Sequence, residues 1–189
     1  ESSPHRFLPC RGRRMLLRPT TAADFPAIAA LTNHFILHTS THFGYEAMTP
    51  REFEEQWLAT RDMYPWVTAE ANGAFAGYAK ASVWRSRKAY QWTAEAGIYV
   101  EASVRRAGVG KALYRAIIDD LRSRGFHSVI GGVTLPNEAS VRLHESLGFT
   151  FVGTFKHAGH KFGQWHDVGF WQLMLRDGTH QPAPLPGAP

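Results

Sequence analysis

The sequence predicts an α/β (α+β) protein with a mixed, mainly antiparallel, twisted sheet flanked by helices. The Asn72-Gly73 pair between two strand-like runs is a strong hairpin signal and therefore indicates antiparallel pairing. A long helical pattern over residues 108–124 lies between strand-like runs at 92–100 and 127–134, which indicates one strand-helix-strand crossover. Hairpins combined with a single crossover favour a mixed sheet over a doubly wound parallel one.

The first half of the chain contains a predicted strand, two helices in series and the hairpin. Residues 15–18 are predicted to form the strand. The first helix is capped within residues 20–24 and has an apolar face formed by Phe25, Ile28, Leu31, Phe35 and Ile36. Thr49 caps the second helix, with Pro50 at its first position. Strands at 66–70 and 75–83 form the arms of the hairpin.

The second half of the chain alternates strands with helices. Gly125 ends the crossover helix, and the strand after it is rich in β-branched residues. A last helix is predicted over residues 137–147, where Gly148 stops it. Two final strands are predicted near 149–155 and 168–175, which gives the order β-α-α-β-β-β-α-β-α-β-β.

Length and composition favour a single domain over residues 15–175. The chain has 189 residues, 44% of them hydrophobic, and can bury one ordinary core. We expect residues 1–14 to be a flexible, Arg-rich leader and residues 176–189 to be an irregular, Pro-rich tail. No membrane span or secretion signal is recognisable, so we expect a cytoplasmic protein with no membrane partner. The single cysteine, Cys10, excludes a disulfide framework and a cysteine nucleophile within the domain.

The basic charge of the chain is concentrated near its start. Residues 1–18 contain five arginines and one glutamate, a net charge of +4 out of the total of +5. A basic stretch confined to a leader is more typical of a solubilising tail than of a groove that binds nucleic acid. We therefore expect no nucleic-acid partner.

A small-residue loop opens the crossover helix and is suited to binding phosphate. It consists of Arg105, Arg106, Ala107, Gly108, Val109, Gly110 and Lys111. Unpaired backbone N–H groups and the helix dipole can hold an anion there, and small residues let the anion come close. A dinucleotide fingerprint would need glycine at Leu113, and a P-loop would need Ser or Thr at Ala112. Another type of phosphate-binding loop and a helix start without a ligand both remain open.

The segments after this loop resemble a known superfamily. They are the run Asn137-Glu138-Ala139-Ser140 and the run from Leu143 to the Gly148-Phe149 pair. Together with the loop they resemble the acetyl-CoA signature of the GCN5-related N-acetyltransferase (GNAT) superfamily, and the resemblance covers residues 15–175. It implies a GNAT-like sheet with a central β-α-β unit that binds acetyl-CoA as co-substrate.

The resemblance also implies which residues bind the cofactor. The loop would hold the pyrophosphate, and the pantetheine arm would lie between splayed strands that end at Val100 and Thr134. A backbone N–H near Tyr99 or Val100 is the implied oxyanion donor. The implied cofactor residues are Ile98, Tyr99, Val100, Arg105, Arg106, Ala107, Gly108, Val109, Gly110, Lys111, Asn137 and Ser140. Asn137 is equally well explained as a helix N-cap, and both roles can hold at once.

Three further motifs resemble one family of this superfamily, the phosphinothricin and methionine sulfoximine N-acetyltransferases. They are AYQWTAE at 89–95, LPN at 135–137 with SVRLHE at 140–145, and GQWHDVGFWQ at 163–172. The resemblance implies acetyl transfer to the amine of a small amino-acid-like substrate by direct attack in a ternary complex. It also implies a homodimer.

Two side chains are candidates for proton transfer. Glu95 lies among small and apolar residues, where burial would raise its pKa toward that of a useful base, and it matches the proposed catalytic glutamate of the family. Its alternative is a solvated carboxylate on an open sheet face. His144 lies one turn after Ser140, at the place where the superfamily commonly has a tyrosine that acts as general acid. A histidine there can exchange a proton near neutral pH. Its alternative is a histidine on the helix surface.

The resemblance implies substrate contacts from three parts of the chain. They are Phe43 and Tyr45 in the loop after the first helix, Arg87 and Tyr90 before the strand of Glu95, and Lys161 late in the chain. A guanidinium suits a carboxylate or phosphinate, although Arg87 also fits a charged turn in water. Gly44 departs from the arginine found in herbicide-detoxifying members. Methionine sulfoximine or another small amine therefore stays open as the acceptor.

No metal-ligand spacing is recognisable, and we expect no metal. His166 and Asp167 are adjacent and point apart on a strand, which favours a structural role over a catalytic dyad. Two other functions remain open from the sequence. One is acetylation of another small, xenobiotic or protein amine, and the other is non-catalytic binding of acyl-CoA as a sensor.

Overall fold

The computed structural model describes residues 6–10, 13–104, 107–178 and 182–185. The strands in these ranges are β1 (Arg6–Cys10), β2 (Arg13–Pro19), β3 (Trp66–Ala71), β4 (Ala74–Val83), β5 (Thr93–Val100), β6 (Ser128–Thr134), β7 (Thr150–Lys161) and β8 (Gln164–Met174). The helices are α1 (Phe25–His38), α2 (Pro50–Thr60), α3 (Val109–Arg124) and α4 (Glu138–Glu145). The strands form one sheet in the order β1-β2-β3-β4-β5-β6-β8-β7.

The sheet is mixed, as the sequence predicts. Neighbouring strands pair antiparallel except β5 and β6, which are parallel and are joined through α3. The predicted crossover is therefore confirmed. The β3-β4 hairpin turns at Asn72 and Gly73, whose φ angles are 53° and 79°. Two consecutive positive φ angles are typical of a type I′ turn, which explains why Asn-Gly marks it.

Parts of the sheet extend beyond the predicted strands. β1 pairs with β2 inside the segment for which the sequence predicts a flexible leader. β7 and β8 have 12 and 11 residues, whereas the sequence predicts shorter strands there. They are joined by a two-residue turn at Phe162 and Gly163 with φ angles of 50° and 73°. Phenylalanine is uncommon at positive φ, so this hairpin carries no recognisable sequence signal.

Local capping explains most of the helix boundaries. The carboxylate of Asp24 accepts hydrogen bonds from the backbone N–H and the hydroxyl of Thr21 around a short 3-10 turn, so α1 begins one residue after the predicted cap region. The side-chain oxygen of Asn137 accepts a 3.1 Å hydrogen bond from the backbone N–H of Ser140 and so caps α4. α3 ends at Gly125, whose φ of 97° suits a glycine. α4 is shorter than predicted at its C-terminal end.

Helices cover both faces of the sheet. α3 packs against one face and contributes Leu113, Tyr114, Ile117 and Leu121 to the larger core. α1 and α2 contribute Phe25, Ile28 and Phe53 to a second core. Tyr78 belongs to the second core and its neighbour Ala79 to the first, as expected because consecutive strand residues point to opposite faces. Within the described ranges, no helix has the length and apolar character needed to span a membrane.

Candidate active site

The parallel strands β5 and β6 separate soon after they meet. Their paired positions are Thr93 with Ser128, Ala94 with Val129, and Glu95 with Ile130. Beyond these pairs β5 continues to pair with β4, and β6 continues to pair with β8. A wedge therefore opens in the middle of the sheet, starting at the residues after Glu95 and Ile130.

Backbone groups of alternate β5 residues line this wedge. The carbonyl of Trp92 accepts a hydrogen bond from the N–H of Ser128 on β6, and the carbonyl of Ala96 accepts one from the hydroxyl of Tyr114 at 3.2 Å. Because backbone groups alternate between the two edges of a strand, Ile98 and Val100 face the same way. The N–H of Val100 therefore faces the wedge, and that of Tyr99 faces β4. Of the two backbone N–H groups that the sequence analysis offered as oxyanion donor, only that of Val100 therefore faces the wedge.

Glu95 lies at the start of the wedge, in the wall of an open pocket of about 310 Å³. The pocket is lined by Thr41, Phe43, Glu95, Gly132, Thr134, Phe155, Ala158, Val168 and Phe170. Burial raises the pKa of Glu95, and the positive charge of Lys80 partly opposes the rise. The raised pKa agrees in direction with the sequence prediction. The alternative, a solvated carboxylate on an open sheet face, does not describe this half-buried side chain.

His144 lies on the other face of the sheet and is buried, with only 4% of its surface exposed. Its Nδ1 lies 2.8 Å from the backbone carbonyl of Ser140, and its Nε2 lies 2.9 Å from the hydroxyl of Tyr114. A carbonyl can only accept, so Nδ1 carries a proton and Nε2 of the neutral ring accepts from Tyr114. Burial lowers the pKa of His144. The helix-surface alternative is therefore wrong.

Tyr114 is the residue of this site that the sequence analysis missed. It is 1% exposed, and its hydroxyl can donate either to Ala96 or to His144. In the sequence it is one more apolar position on the inner face of the crossover helix. Its place one turn after Gly110 was the only available signal, because helix residues four apart share a face.

Two consecutive glycines of β6 separate Glu95 from His144. A Cβ atom on Gly131 would lie 2.2 Å from Nε2 of His144, and one on Gly132 would lie 3.5 Å from Oε1 of Glu95. Consecutive strand residues point to opposite faces. The wedge therefore opens between the carboxyl on one face and the imidazole on the other.

The N-terminus of α3 lies beside the wedge. Gly108 has a φ of 83° and precedes the first helical residue, Val109. A Cβ on Gly110 would lie 3.1 Å from Cδ1 of Ile98, so glycine lets the helix start approach β5. The first-turn N–H groups have no acceptor within the helix. Ala107 and Lys111 flank this start, whereas Arg105 and Arg106 lie outside the described residues.

The predicted substrate residues do not all come together. Phe43 lines the pocket and packs on Gly159, where a Cβ would lie 2.3 Å from its ring. Tyr45 is exposed, and its hydroxyl donates to the backbone carbonyl of His160. Arg87 and Tyr90 are exposed in the loop between β4 and β5 and do not line the pocket.

Lys161 is not available to a substrate in this structure. It is 2% exposed, and its ammonium donates to the backbone carbonyls of Ile36 and His42. These carbonyls belong to the end of α1 and to the loop that carries Phe43. Lys161 therefore ties that loop to β7, and its predicted role as a direct substrate contact is wrong for this geometry.

A bulge in β7 shapes the far wall of the pocket. The β7-β8 register shifts between Phe155 and Gly159. Asp167 forms a 2.7 Å ion pair with Lys156 and accepts a 2.9 Å hydrogen bond from the backbone N–H of His157. His166 lies 3.1 Å from the carbonyl of Lys161 through Nε2. The side chains of His166 and Asp167 therefore make hydrogen bonds within the β7-β8 hairpin. No group of three or more possible metal ligands occurs among the described residues.

Known proteins share this arrangement. The model of the acetyltransferase (GNAT) family matches residues 31–149. A phosphinothricin N-acetyltransferase from Streptomyces viridochromogenes is 44% identical over 85% of this chain and 87% of its own length. An L-methionine sulfoximine/L-methionine sulfone acetyltransferase from Salmonella typhimurium is 36% identical over 85% of this chain and 95% of its own length.

Solved structures agree in fold. A GNAT superfamily phosphinothricin acetyltransferase from Sinorhizobium meliloti, determined in complex with acetyl-CoA, superposes with a TM-score of 0.84 at 32% identity. The match covers 88% of this chain and 92% of that one. The fold expectation is thus confirmed, and so is acetyl-CoA as the co-substrate. The chain belongs to the acetyltransferase (GNAT) family and is an acetyl-CoA-dependent N-acetyltransferase.

Proposed function

We propose that this enzyme acetylates the amine of a small amino-acid-like acceptor, of the phosphinothricin or methionine sulfoximine type, by direct attack in a ternary complex. The observation that carries the proposal is the position of Glu95, a half-buried carboxyl with a raised pKa at the junction of the wedge and the pocket. A base there can serve an amine in the pocket and an acetyl group in the wedge together. The relatives named above act on such acceptors.

The residues around the wedge fit acetyl-CoA, which supplies an activated acetyl thioester when bound. Pyrophosphate would be held by the N-terminus of α3, through the segment 107–111 together with Arg105 and Arg106. The free edge of β5 at Ile98 and Val100 would bind the pantetheine arm. Asn137 and Ser140 would approach the same arm from α4, with Asn137 also serving as the helix cap.

Glu95 would take a proton from the acceptor ammonium so that the neutral amine can attack. Its raised pKa suits that task, because a base works best when its pKa lies near the working pH. The N–H of Val100, which faces the wedge, would stabilise the negative charge that develops on the acetyl oxygen. Tyr99 would contribute its ring rather than its N–H.

His144 would supply the proton for the departing thiolate, through Tyr114. In its imidazolium form His144 also carries a proton on Nε2, which can pass to the hydroxyl oxygen of Tyr114 while that hydroxyl gives its own proton to the thiolate, and the neutral ring is restored. The lowered pKa of His144 makes such a proton easy to release. Tyr114 thus takes the place of a direct contact between His144 and the reacting group.

The pocket favours a small acceptor over a protein amine. Its volume of about 310 Å³ and its aromatic walls suit a compact side chain. Phe43 would cover the acceptor, while Arg87 and Tyr90 would approach it from the β4-β5 loop and Tyr45 would hold the opposing loop. Gly44 leaves this loop without the arginine of herbicide-detoxifying relatives, so we rank methionine sulfoximine above phosphinothricin.

We further propose a homodimer in the cytoplasm. Large apolar side chains on the β7-β8 hairpin expose about half or more of their surface, namely Phe151, Val152, Phe155, Phe162, Trp165 and Met174. β7 is an edge strand, and edge strands with exposed apolar residues favour association. Phe155 also lines the pocket, so a second copy would help to close it. Light scattering at micromolar concentration should give twice the chain mass, and a monomer would contradict the proposal.

The acceptor proposal is tested with purified enzyme, acetyl-CoA and each candidate acceptor. Free thiol should appear together with the N-acetylated product of methionine sulfoximine, identified by its mass. Failure with both methionine sulfoximine and phosphinothricin, while another amine is acetylated, would overturn the acceptor assignment and leave the enzyme class intact.

A further inference from the structure

Lys80 is a half-buried cation on the same sheet face as Glu95, and the proposed proton transfers make no use of it. In the β4-β5 ladder Ser82 pairs with Glu95 and Lys80 pairs with Gly97. Directly paired residues share a face, and so do residues two apart on one strand. Lys80 is therefore the diagonal neighbour of Glu95 on this sheet face, at a spacing of roughly 7–8 Å.

The space beside Lys80 is open. A Cβ on Gly97 would meet nothing within 4 Å, so the strand leaves a gap between Glu95 and Tyr99. His42 reaches the same area, because its ring lies 6.2 Å from the ring of Tyr99. The two neighbours of His42 in the sequence, Thr41 and Phe43, line the acceptor pocket. The gap at Gly97 thus adjoins the place where the acceptor amine would bind.

Lys80 places a cation near this gap, and the charge of Glu95 raises the pKa of Lys80, which partly opposes the lowering caused by burial. The ammonium of Lys80 lies 4.9 Å from the centre of the Trp66 ring, a cation-π contact that supplies no hydrogen-bond acceptor. Among the described residues, no hydrogen bond or salt bridge is formed by the ammonium. Burial lowers the pKa of Lys80, and burial together with the charges of Lys80 and Lys161 lowers that of His42. A half-buried ammonium without an acceptor is stabilised by an incoming anion.

We propose that Lys80, which pairs with Gly97 in the β4-β5 ladder, binds the α-carboxylate of the acceptor and so selects amino acids over simple amines. The nitrogen and the carboxylate of an amino acid are attached to the same carbon. An amine at Glu95 therefore carries its carboxylate to the neighbouring position on the sheet face, where Lys80 lies. The inference rests on the proposed function, because it assumes that the acceptor amine binds at Glu95.

The test compares methionine sulfone with its α-carboxamide in the wild type and in Lys80→Met, at a pH above the acidic limb of the rate profile. A charge-assisted hydrogen bond contributes about 1.5–3 kcal/mol, so kcat/KM for the acid should fall roughly 10- to 100-fold, mainly through KM. The carboxamide should change less than about threefold. The amines of the acid and the carboxamide differ in basicity, so the variant is compared with the wild type separately for each acceptor.

Arg61→Met is the matched control, because Arg61 also lies over an indole ring, that of Trp57 at 4.7 Å, but at the C-cap of α2. It should leave both acceptors unaffected. Lys80→Gln repeats the test if the methionine variant does not fold, and acetyl-CoA binding reports the integrity of the wedge. An equal loss on both acceptors, or no loss on either, would overturn the carboxylate site. A wild type that acetylates amines without preferring the acid would also overturn it, while leaving the proposed function standing.

Discussion

The hydroxyl of Tyr114 lies 2.9 Å from Nε2 of His144, and the same hydroxyl lies 3.2 Å from the carbonyl of Ala96 at the edge of the wedge. One oxygen thus connects an imidazole behind the sheet with the opening in its middle. The connection exists because Gly131 has no side chain to occupy the space in front of the imidazole. Proton supply to the wedge would depend on it.

Replacing Tyr114 by Phe should slow turnover because His144 then has no path to the wedge. We expect kcat to fall roughly 10- to 100-fold, within the range for loss of a general acid, while acetyl-CoA binds normally. Tyr78→Phe is the matched control, since Tyr78 is another buried phenol and is hydrogen-bonded to Thr32 at 2.7 Å. Equal kcat values in the two variants, measured by thiol release, would remove Tyr114 from the reaction.

Replacing Glu95 by Gln should abolish most activity without affecting the fold. A positioned base contributes about 10²- to 10⁴-fold, so kcat should fall by that factor. The pKa of Glu95 is raised by burial, and only the ionised form can accept a proton. The kcat/KM of the wild type should therefore decline with falling pH at a higher pH than for an exposed glutamate.

The control for that experiment is Glu101→Gln, which changes a carboxyl just beyond the end of β5. The Glu101→Gln variant should keep the wild-type kcat and the wild-type decline of kcat/KM at low pH. A Glu95→Gln enzyme with a wild-type rate across the pH range would exclude Glu95 as the base.

Replacing Gly131 by Ala should displace His144. The new methyl group would lie 2.2 Å from Nε2 and 3.1 Å from the hydroxyl of Tyr114, so the imidazole must move. Overpacking of this kind costs about 1–3 kcal/mol, which should be visible as a lower Tm together with a loss of kcat. Gly153→Ala is the control, because nothing lies within 4 Å of its Cβ position. Normal activity in the Gly131 variant would show that the position of His144 is unimportant.

Replacing Lys161 by Met should loosen the loop that carries Phe43. The two carbonyls of Ile36 and His42 lose their donor, which we expect to cost roughly 3 kcal/mol of unfolding free energy. KM for the acceptor should rise, whereas binding of acetyl-CoA should not change. Lys156→Met removes an exposed ion pair and should affect Tm little. If KM stays constant and only Tm falls, Lys161 stabilises the fold without positioning the loop.

Much of the fold could be predicted because its signals are local. The type I′ turn at Asn72 and Gly73 and the helix stop at Gly125 each depend on residues that are adjacent in the chain. The long β7-β8 hairpin could not be predicted, since Phe162 occupies a positive φ that its residue type does not favour. Strand β1 was missed because it forms only by pairing with β2.

The sequence by itself determined the family, the order of the main elements and the glycine loop at the start of α3. It also identified Glu95 and His144 as candidates for proton transfer. Such features are written in contiguous motifs and short-range periodicities. The tertiary structure alone decided that His144 is buried against Tyr114, that Lys161 ties two segments together, and that Lys80 stands beside Glu95. Those relationships join residues that are between 15 and 125 positions apart, and only the pairing of strands and the packing of helices brings them together.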